Sequence, residues 1–366
     1  MKKRVKRTFL LHHWLGLVAG ILLVIISLTG SVLVFDDAID EAVFADKAIL
    51  AHPAHHLRLD ASVERVRLQY PGWDIRVPAL PEAPDQALRY ELRQKQQKKW
   101  LFVHPETGAQ LATVGQAHHR FTQLLLDIHY TLLAGTPGKV LVMLCGLSLL
   151  TLTITGFILY RRAILKVLLF RQHISRKSRR SFFSSLHRIV GVWALAFNLL
   201  MSLSGLVLTY KVLESALKGD TKTIAVPPLT GSVDAALHQV QQQYPDFKVT
   251  YLRFPVNAAG SVQLRGHFRS DPAYYGTIYS SISANYKTGA LEKTDFVRDK
   301  PWFARIPLVL QTLHITDYAG VFLKILYSFF GLMPGLLSIS GFVIWYYRQQ
   351  RQPEPAQKRS LGKVAR

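Results

Sequence analysis

The stretch LHHWLGLVAGILLVIISLTGSVLVF, Leu11–Phe35, decides the fold: it is an apolar run of membrane-spanning length that opens on histidine and is written twice. Its echo, LHRIVGVWALAFNLLMSLSGLVLTY, runs from Leu186 to Tyr210 at a constant offset of 175 residues. Under that offset Leu11 falls on Leu186, His12 on His187, Gly16 on Gly191, Leu28 on Leu203, Gly30 on Gly205 and Phe35 on Tyr210. Two spans therefore carry an imidazole at the same depth. A histidine in an apolar span is costly without a partner, and imidazole is the commonest protein ligand for metals. A pair at matching depth asks for something between its members.

Four apolar segments, about 14–35, 139–160, 189–210 and 321–347, each reach the roughly 20 residues that span a bilayer. The net charge of +22 invites a nucleic-acid reading, so its distribution matters more than its size. Segments 1–13, 161–188 and 348–366 hold 20 of the 45 basic residues and 1 of the 23 acidic ones. The long intervals 36–128 and 211–318 hold 23 basic and 22 acidic residues, close to neutral. The excess is the positive-inside signal, which puts both termini and the 161–188 loop in the cytoplasm and leaves nucleic acid without a claim.

The basic start KKRVKR followed by an apolar run has the outline of a secretory signal. The run exceeds the roughly 7–15 residues of a signal h-region, and Asp36, Asp37, Asp40 and Glu41 follow before any convincing cleavage site, so a retained anchor is expected. Cys145, the only cysteine, lies in the second span, so an intrachain disulfide and a thiolate cluster are both excluded.

Between the spans, SVERVRLQYPGWDIRVPAL reads as a short amphipathic helix ended near Tyr70-Pro71-Gly72 and followed by a strand. ALRYELRQ and KKWLFVHPETGAQLATV read as a hairpin and a further turn at Pro105-Glu106-Thr107-Gly108. RFTQLLLDIHYTLLAG then places Phe121, Leu124, Leu125, Ile128 and Leu132 on one helical face. Gly135-Thr136-Pro137-Gly138 interrupts it, as either a kink or the end of a separate interfacial helix.

The second half repeats this order. SVDAALHQVQQQYPDFKVTYLRFP matches the first helix and strand, with Tyr244-Pro245 for Tyr70-Pro71 and Phe247 for Trp73. At an offset of 185, His129 falls on His314, Gly135 on Gly320, Lys139 on Lys324, Gly146 on Gly331 and Gly156 on Gly341. The expected fold is a helical membrane protein with four transmembrane helices, two small periplasmic α+β modules and an internal duplication. Its parts are a basic cytoplasmic tail 1–13, a span 14–35, a module 36–120, a helical lead-in 121–138 and a span 139–160. A basic cytoplasmic loop 161–188, a span 189–210, a module 211–305, a lead-in with the fourth span 306–347, and a basic tail 348–366 complete it. Each repeat crosses the membrane an even number of times, so a pseudo-two-fold axis along the membrane normal is expected.

That layout gives the histidines a shared role. His12 and His187 sit where spans leave the cytoplasm, and His129 and His314 where the chain re-enters from outside. A helix such as 12–35 rises about 35 Å against a hydrocarbon core of about 30 Å, which sets the two pairs near opposite faces. This is similar to the ligand plan of a bis-histidine di-haem membrane cytochrome, whose iron takes one axial ligand on each side of the ring. The plainer reading is that His12 and His187, beside basic runs, are interfacial residues reaching water; the doubled pairing favours ligands. Gly16, Gly20, Gly30, Gly191 and Gly205 fit room for a porphyrin and close helix packing equally well. His13 points about 100° round the helix from His12, and its repeat partner is Arg188. His118 and His119 fall outside the repeat. His52, His55 and His56 offer transition-metal donors in a proline-containing loop that reads better as solvated. Arg93, Lys95, Lys98 and Lys99 form a basic run that suits an anionic iron chelate or a solvated strand edge.

Taken together, the doubled Leu-His spans, the paired Tyr-Pro helix–strand modules and the matched 129 and 314 histidines resemble the PepSY-associated transmembrane family, over about residues 8–348. That family includes iron-regulated inner-membrane proteins and ferric-siderophore reductases of the FoxB type. The resemblance implies PepSY-like modules, a bacterial inner-membrane location and two haem b groups. It implies ligation by His12 and His187 on the inner side and by His129 and His314 on the outer side. It further implies outward electron flow to a ferric siderophore in the periplasm. His13 stands where the family commonly has arginine, which makes it the alternative inner ligand. One-electron reduction suits iron release, because ferrous iron binds hard oxygen donors far less well than ferric iron. No G-x-G-x-x-G after a strand and no P-loop appear, so the electron is expected from a cytoplasmic reductase or a quinol. Two other classes stand beside this one: a siderophore or iron transporter, and a non-catalytic regulator whose modules bind an exported protein. Against transport, no broken-helix pair marks the midplane.

Overall fold

The computed structural model describes residues 3–94, 97–115, 120–218 and 224–350; Lys95, His118, His119 and the basic stretch 351–366 lie outside them. The chain begins with α1 (Lys3–Leu33), α2 (Asp36–Val43), α3 (Ala45–Ala48) and α4 (Leu59–Gln69). Next come strands β1 (Asp74–Val77), β2 (Leu88–Gln94), β3 (Gln97–Val103) and β4 (Gln110–Val114). Helices α5 (Phe121–Thr131), α6 (Gly135–Tyr160), α7 (Ile164–Leu168), α8 (Arg179–Trp193), α9 (Leu195–Lys218) and α10 (Val233–Gln243) follow. Strands β5 (Phe247–Arg253), β6 (Val262–Phe268), β7 (Ser280–Ala284) and β8 (Leu291–Asp295) precede α11 (Trp302–Ile315), α12 (Val321–Gly331) and α13 (Met333–Gln349).

Among the described residues four stretches are long and apolar enough to cross a membrane: α1, α6, α9 and the α12–α13 pair. On α6 the apolar residues run all round the helix, and Leu144, Leu147 and Phe157 are exposed, as lipid contact requires. Its hydroxyls turn back on the helix: Thr151 Oγ1 donates to Leu147 O at 2.9 Å and Thr153 Oγ1 to Leu149 O at 2.7 Å. No polar hydrogen is left to hydrocarbon there. The interruption before α6 separates two helices rather than kinking one, because Leu132 and Leu133 both take left-handed backbone (φ 49° and 59°).

Contacts divide the chain into two units. The first holds α1 as far as Ser31, the segment Met143–Leu203, and the chain from Ser328. Within it α1 meets α12 and α13 through small residues: Ser27 Oγ donates to Gly331 O at 2.5 Å and accepts from Gly335 N at 3.1 Å. A Cβ added at Gly331 would lie 2.6 Å from Ser31 Oγ, so only glycine admits this approach. Ala19 and Leu23 of α1 pack with Cys145 of α6, and α8 runs against α13.

The second unit, Val32–Val142 with Ser204–Tyr327, is built on one antiparallel sheet in the order β4-β3-β2-β1-β5-β6-β7-β8. The sequence reads as two separate small modules; the strands instead join into eight, because β1 and β5 pair at Arg76↔Arg253 and Val77↔Leu252. A shared main core follows, with a smaller cluster of Phe44, Trp100, Phe102 and Val114 beside it. Leu88, Tyr90 and Leu92 of β2 and Leu252 and Leu264 of β5 and β6 are fully buried with Val63, Val66, Ala236 and Val240 from α4 and α10. Alternation along each strand sends the intervening residues to the opposite, polar face.

The two helices over this sheet cap each other. Asp234, in the first turn of α10, accepts from Leu59 N (2.9 Å) and Asp60 N (3.1 Å) at the start of α4. Asp60, in the first turn of α4, accepts from Val233 N (2.6 Å) and from Ser232 Oγ (2.5 Å) at the start of α10. Each carboxylate thus satisfies amide groups that its partner helix leaves open and lies at the positive end of that helix's dipole. Removing either by Asp60→Ala or Asp234→Ala is expected to cost about 1–2 kcal/mol. Thermal unfolding of the full chain in detergent, followed by fluorescence, should show each variant melting earlier by several degrees. Coupling is expected as well, so the double variant should depart from the sum of the two losses.

Candidate functional site

In the first unit the paired spans bring His12 on α1 and His187 on α8 together edge to face, with ring centroids 6.2 Å apart and planes at 84°. His12 Nδ1 lies 2.9 Å from Thr155 Oγ1 on α6, and His187 Nδ1 lies 2.8 Å from Ser340 Oγ on α13. The protons can be assigned. A hydroxyl has one hydrogen to give. Thr155 gives its hydrogen to Thr151 O at 2.7 Å, and Ser340 gives its hydrogen to Leu337 O at 3.0 Å. Each hydroxyl therefore accepts from the imidazole, Nδ1 carries the proton, and Nε2 keeps its lone pair. That is the tautomer a metal ligand needs, oriented by a partner on its far nitrogen.

A glycine borders each ring at ordinary contact distance beside these hydroxyls. A Cβ at Gly156 would sit 3.5 Å from His12 Cε1, and one at Gly341 would sit 3.6 Å from His187 Cε1. His13 is turned elsewhere, stacked on Phe9 at 5.9 Å and edge-on to Trp14 at 5.5 Å.

In the second unit His129 and His314 occupy the last turns of α5 and α11, with ring centroids 6.4 Å apart and planes at 50°. Both helices stop abruptly, at left-handed Leu132 and Thr316. His314 Nδ1 lies 2.9 Å from Ser204 Oγ, and a Cβ at Gly205 would come 3.2 Å from His314 Cε1. The same device recurs: hydroxyl on Nδ1, glycine under the ring.

The spacing of each pair has a chemical meaning. An imidazole nitrogen binds a first-row metal at about 2 Å, and the ring centre lies about 1 Å beyond, so two imidazoles sharing one metal atom have centroids about 6 Å apart. Among the described residues no group of three or more histidine, cysteine, aspartate or glutamate side chains converges. The donor set at each pair is two imidazoles. A haem iron asks the protein for that number, because the porphyrin fills the other four positions.

The hydroxyl–glycine doublets were the partners that histidine spacing did not disclose. Their signal was present: Thr155-Gly156 recurs as Ser340-Gly341 at the offset of 185, and Thr29-Gly30 recurs as Ser204-Gly205 at 175. Of the glycines open to two readings, Gly16, Gly20 and Gly191 face Leu152, Ser338 and Leu337 and serve helix packing, whereas Gly205 faces His314. His52, His55 and His56 do not converge; the His55 and His56 amides donate to Glu106 Oε1. The basic run divides between faces, with Lys99 Nζ 4.8 Å over Trp73 and Lys98 bonded to Gln123.

Comparison with known proteins adds two findings. The chain is 26% identical over 259 residues to the uncharacterized protein PA4219 of Pseudomonas aeruginosa, an alignment covering 63% of this chain and 64% of that one. It thus spans a little under two thirds of that relative's length. The family model described as the PepSY-associated TM region matches residues 9–348, nearly the whole sequence. The chain is therefore a membrane protein of the PepSY-associated TM family.

Proposed function

We propose that this protein is a di-haem electron carrier of the bacterial inner membrane that reduces siderophore-bound ferric iron on the periplasmic side, with both termini cytoplasmic. The observation that carries this reading is the doubled geometry: two imidazole pairs at 6.2 and 6.4 Å, with three of the four rings held by hydroxyls at Nδ1. His12 and His187 would hold one haem b, and His129 and His314 the other. Haem held by these imidazoles would supply one-electron transfer.

The chain's own residues set the conditions. Thr155 and Ser340 fix the ligand tautomers, and the glycines beside the rings fix their depth. The apolar spans exclude water, so the electron meets a low-dielectric path. Each ferric ion takes one electron and leaves as ferrous iron, which the chelator's hard oxygen donors hold far less tightly. A quinol donor supplies two such electrons and releases two protons; a cytoplasmic reductase is the other donor class. The PepSY-like modules, read as a duplicated pair, form the substrate-facing surface.

The deciding measurement is the absorption spectrum of the detergent-purified protein, oxidised and then reduced with dithionite, with haem counted per chain. Two b-type haems with sharp reduced α and β bands, re-oxidised by a ferric siderophore, are the expected result. A colourless protein that also refuses added haem would overturn the proposal. His187→Ala and His314→Ala should each remove about one haem while the protein still inserts; full low-spin haem in both variants would sink the ligand assignment. Thr155→Val and Ser340→Ala keep the ligands and remove the acceptor for Nδ1–H, so haem affinity should fall about 10–100-fold in a haemin titration. Unchanged binding in both would make the hydroxyls bystanders.

A further inference from the structure

One face of the second unit's sheet carries the main core; the other carries a smaller cluster of Phe44, Trp100, Phe102 and Val114 at its β3–β4 end and a row of basic side chains. Register places Lys98 on β3, Arg89 and Arg93 on β2, Arg76 on β1, Arg253 on β5 and Arg265 on β6 along that face. The same strands contribute two carboxylates to it. Asp74 holds both Arg76 (2.5 Å) and Arg253 (3.0 Å), and Glu91 holds Arg93. These strands thus supply six cations and two acids, and Asp37, Asp40 and Asp127 act on the β2–β3 end from neighbouring elements. Burial pulls the Lys98 ammonium and the Arg89 guanidinium below their ordinary ranges, with Arg93 adding to it at the first and Arg120 at the second, against the opposing carboxylates.

Arg265 is the sharpest case. Its Nε is buried and meets no protein acceptor, while its guanidinium lies 5.9 Å from the Tyr251 ring centre. It lines a cavity of about 380 Å³ together with Tyr279, Ser281 and the Lys300–Asp295 pair, bordered by Ala304 and Leu308 of α11, and Arg265 is the cation there without a carboxylate of its own. On the β3 side, Lys98 Nζ reaches Gln123 Oε1 of α5 at 3.2 Å. The basic face therefore abuts the two helices whose last turns carry His129 and His314.

We propose that this face, from Arg93 to Arg265, docks an anionic ferric chelate, one whose catecholate or carboxylate donors leave net negative charge on the complex. Charge complementarity selects it: guanidinium groups bind such oxygens in a planar fork and stack on aromatic arms. The cavity beside Arg265 admits one chelating arm, and the rest of the complex lies along the open strands β5, β1 and β2. The inference rests on the reductase reading for the metal in the ligand, and the test is independent of electron transfer.

The test uses redox-inert gallium(III) complexes and the full-length protein in detergent, with binding followed by isothermal titration. The trianionic gallium tris-catecholate should bind at least about tenfold tighter than a neutral gallium tris-hydroxamate, the advantage of one or more charge-assisted contacts. Salt should shrink that advantage. Arg265→Gln with Arg93→Gln should lower the affinity of the trianion about tenfold or more, and Arg265→Lys should retain part of it. Equal affinity for the two complexes, or no salt dependence in the unaltered protein, overturns the proposal whatever the variants do. Displacement by an equal concentration of phosphatidylglycerol also overturns it, by assigning the face to lipid headgroups. Unaltered protein that docks the gallium trianion yet carries no haem and takes none up refutes the reductase reading alone.

Discussion

A bilayer leaves no polar group to itself, and the histidine sites are arranged around that constraint. An imidazole has two nitrogens to satisfy. At His12, His187 and His314 a threonine or serine hydroxyl from another helix meets Nδ1, and the rings of each histidine pair lie near one another. The hydroxyls are themselves committed: at Thr155 and Ser340 the hydrogen goes to the helix's own carbonyls, which directs the imidazole bond. Backbone, hydroxyl and imidazole thus form a relay that ends on the ring.

Outside the spans the chain solves a different problem. Two short helix-and-strand segments, each too small for a stable core, pool most of their large apolar side chains on one side of a common sheet, leaving Trp100 and Phe102 to a smaller cluster on the other. The β1–β5 pairing removes the two inner edges that separate modules would expose. It also fixes which residues share the polar side, so Arg76 and Arg253, 177 positions apart, meet the same Asp74. Charge that is neutral when summed along the sequence becomes concentrated once the strands are in register.

The spans were legible because hydropathy over twenty residues needs no tertiary information, and the histidine pairs because the repeat offsets align them. Helix breaks inside apolar stretches were not. Ala194 separates α8 from α9 with no glycine or proline beside it, whereas Leu332 separates α12 from α13 between Gly331 and Pro334, a signal hidden by the apolar run around it. The start of α4 was misjudged for a tertiary reason. Arg58 stands at its N-cap with no side-chain bond, and the capping oxygens come from Asp234, so the helix read from Ser62 starts earlier, at Leu59. The run Arg93–Lys99 read as one patch, whereas strand alternation sends Lys98 and Lys99 to opposite faces. Joining of the modules was invisible because β1 and β5 are separated by a whole transmembrane hairpin.

The exchanged caps carry a consequence for biosynthesis. Leu59 and Asp60 are made early, yet the carboxylate that receives their amides belongs to a residue 175 positions after Leu59. At about 5–20 residues per second that interval is roughly 9–35 seconds, far longer than a helix or hairpin needs to form. During it α4 has no cap and β1 no outer neighbour, while two further spans must still be made. The first half of the sheet is therefore an unfinished edge awaiting its twin, and its exposure in those seconds is set by the speed of the ribosome rather than by the stability of the finished fold.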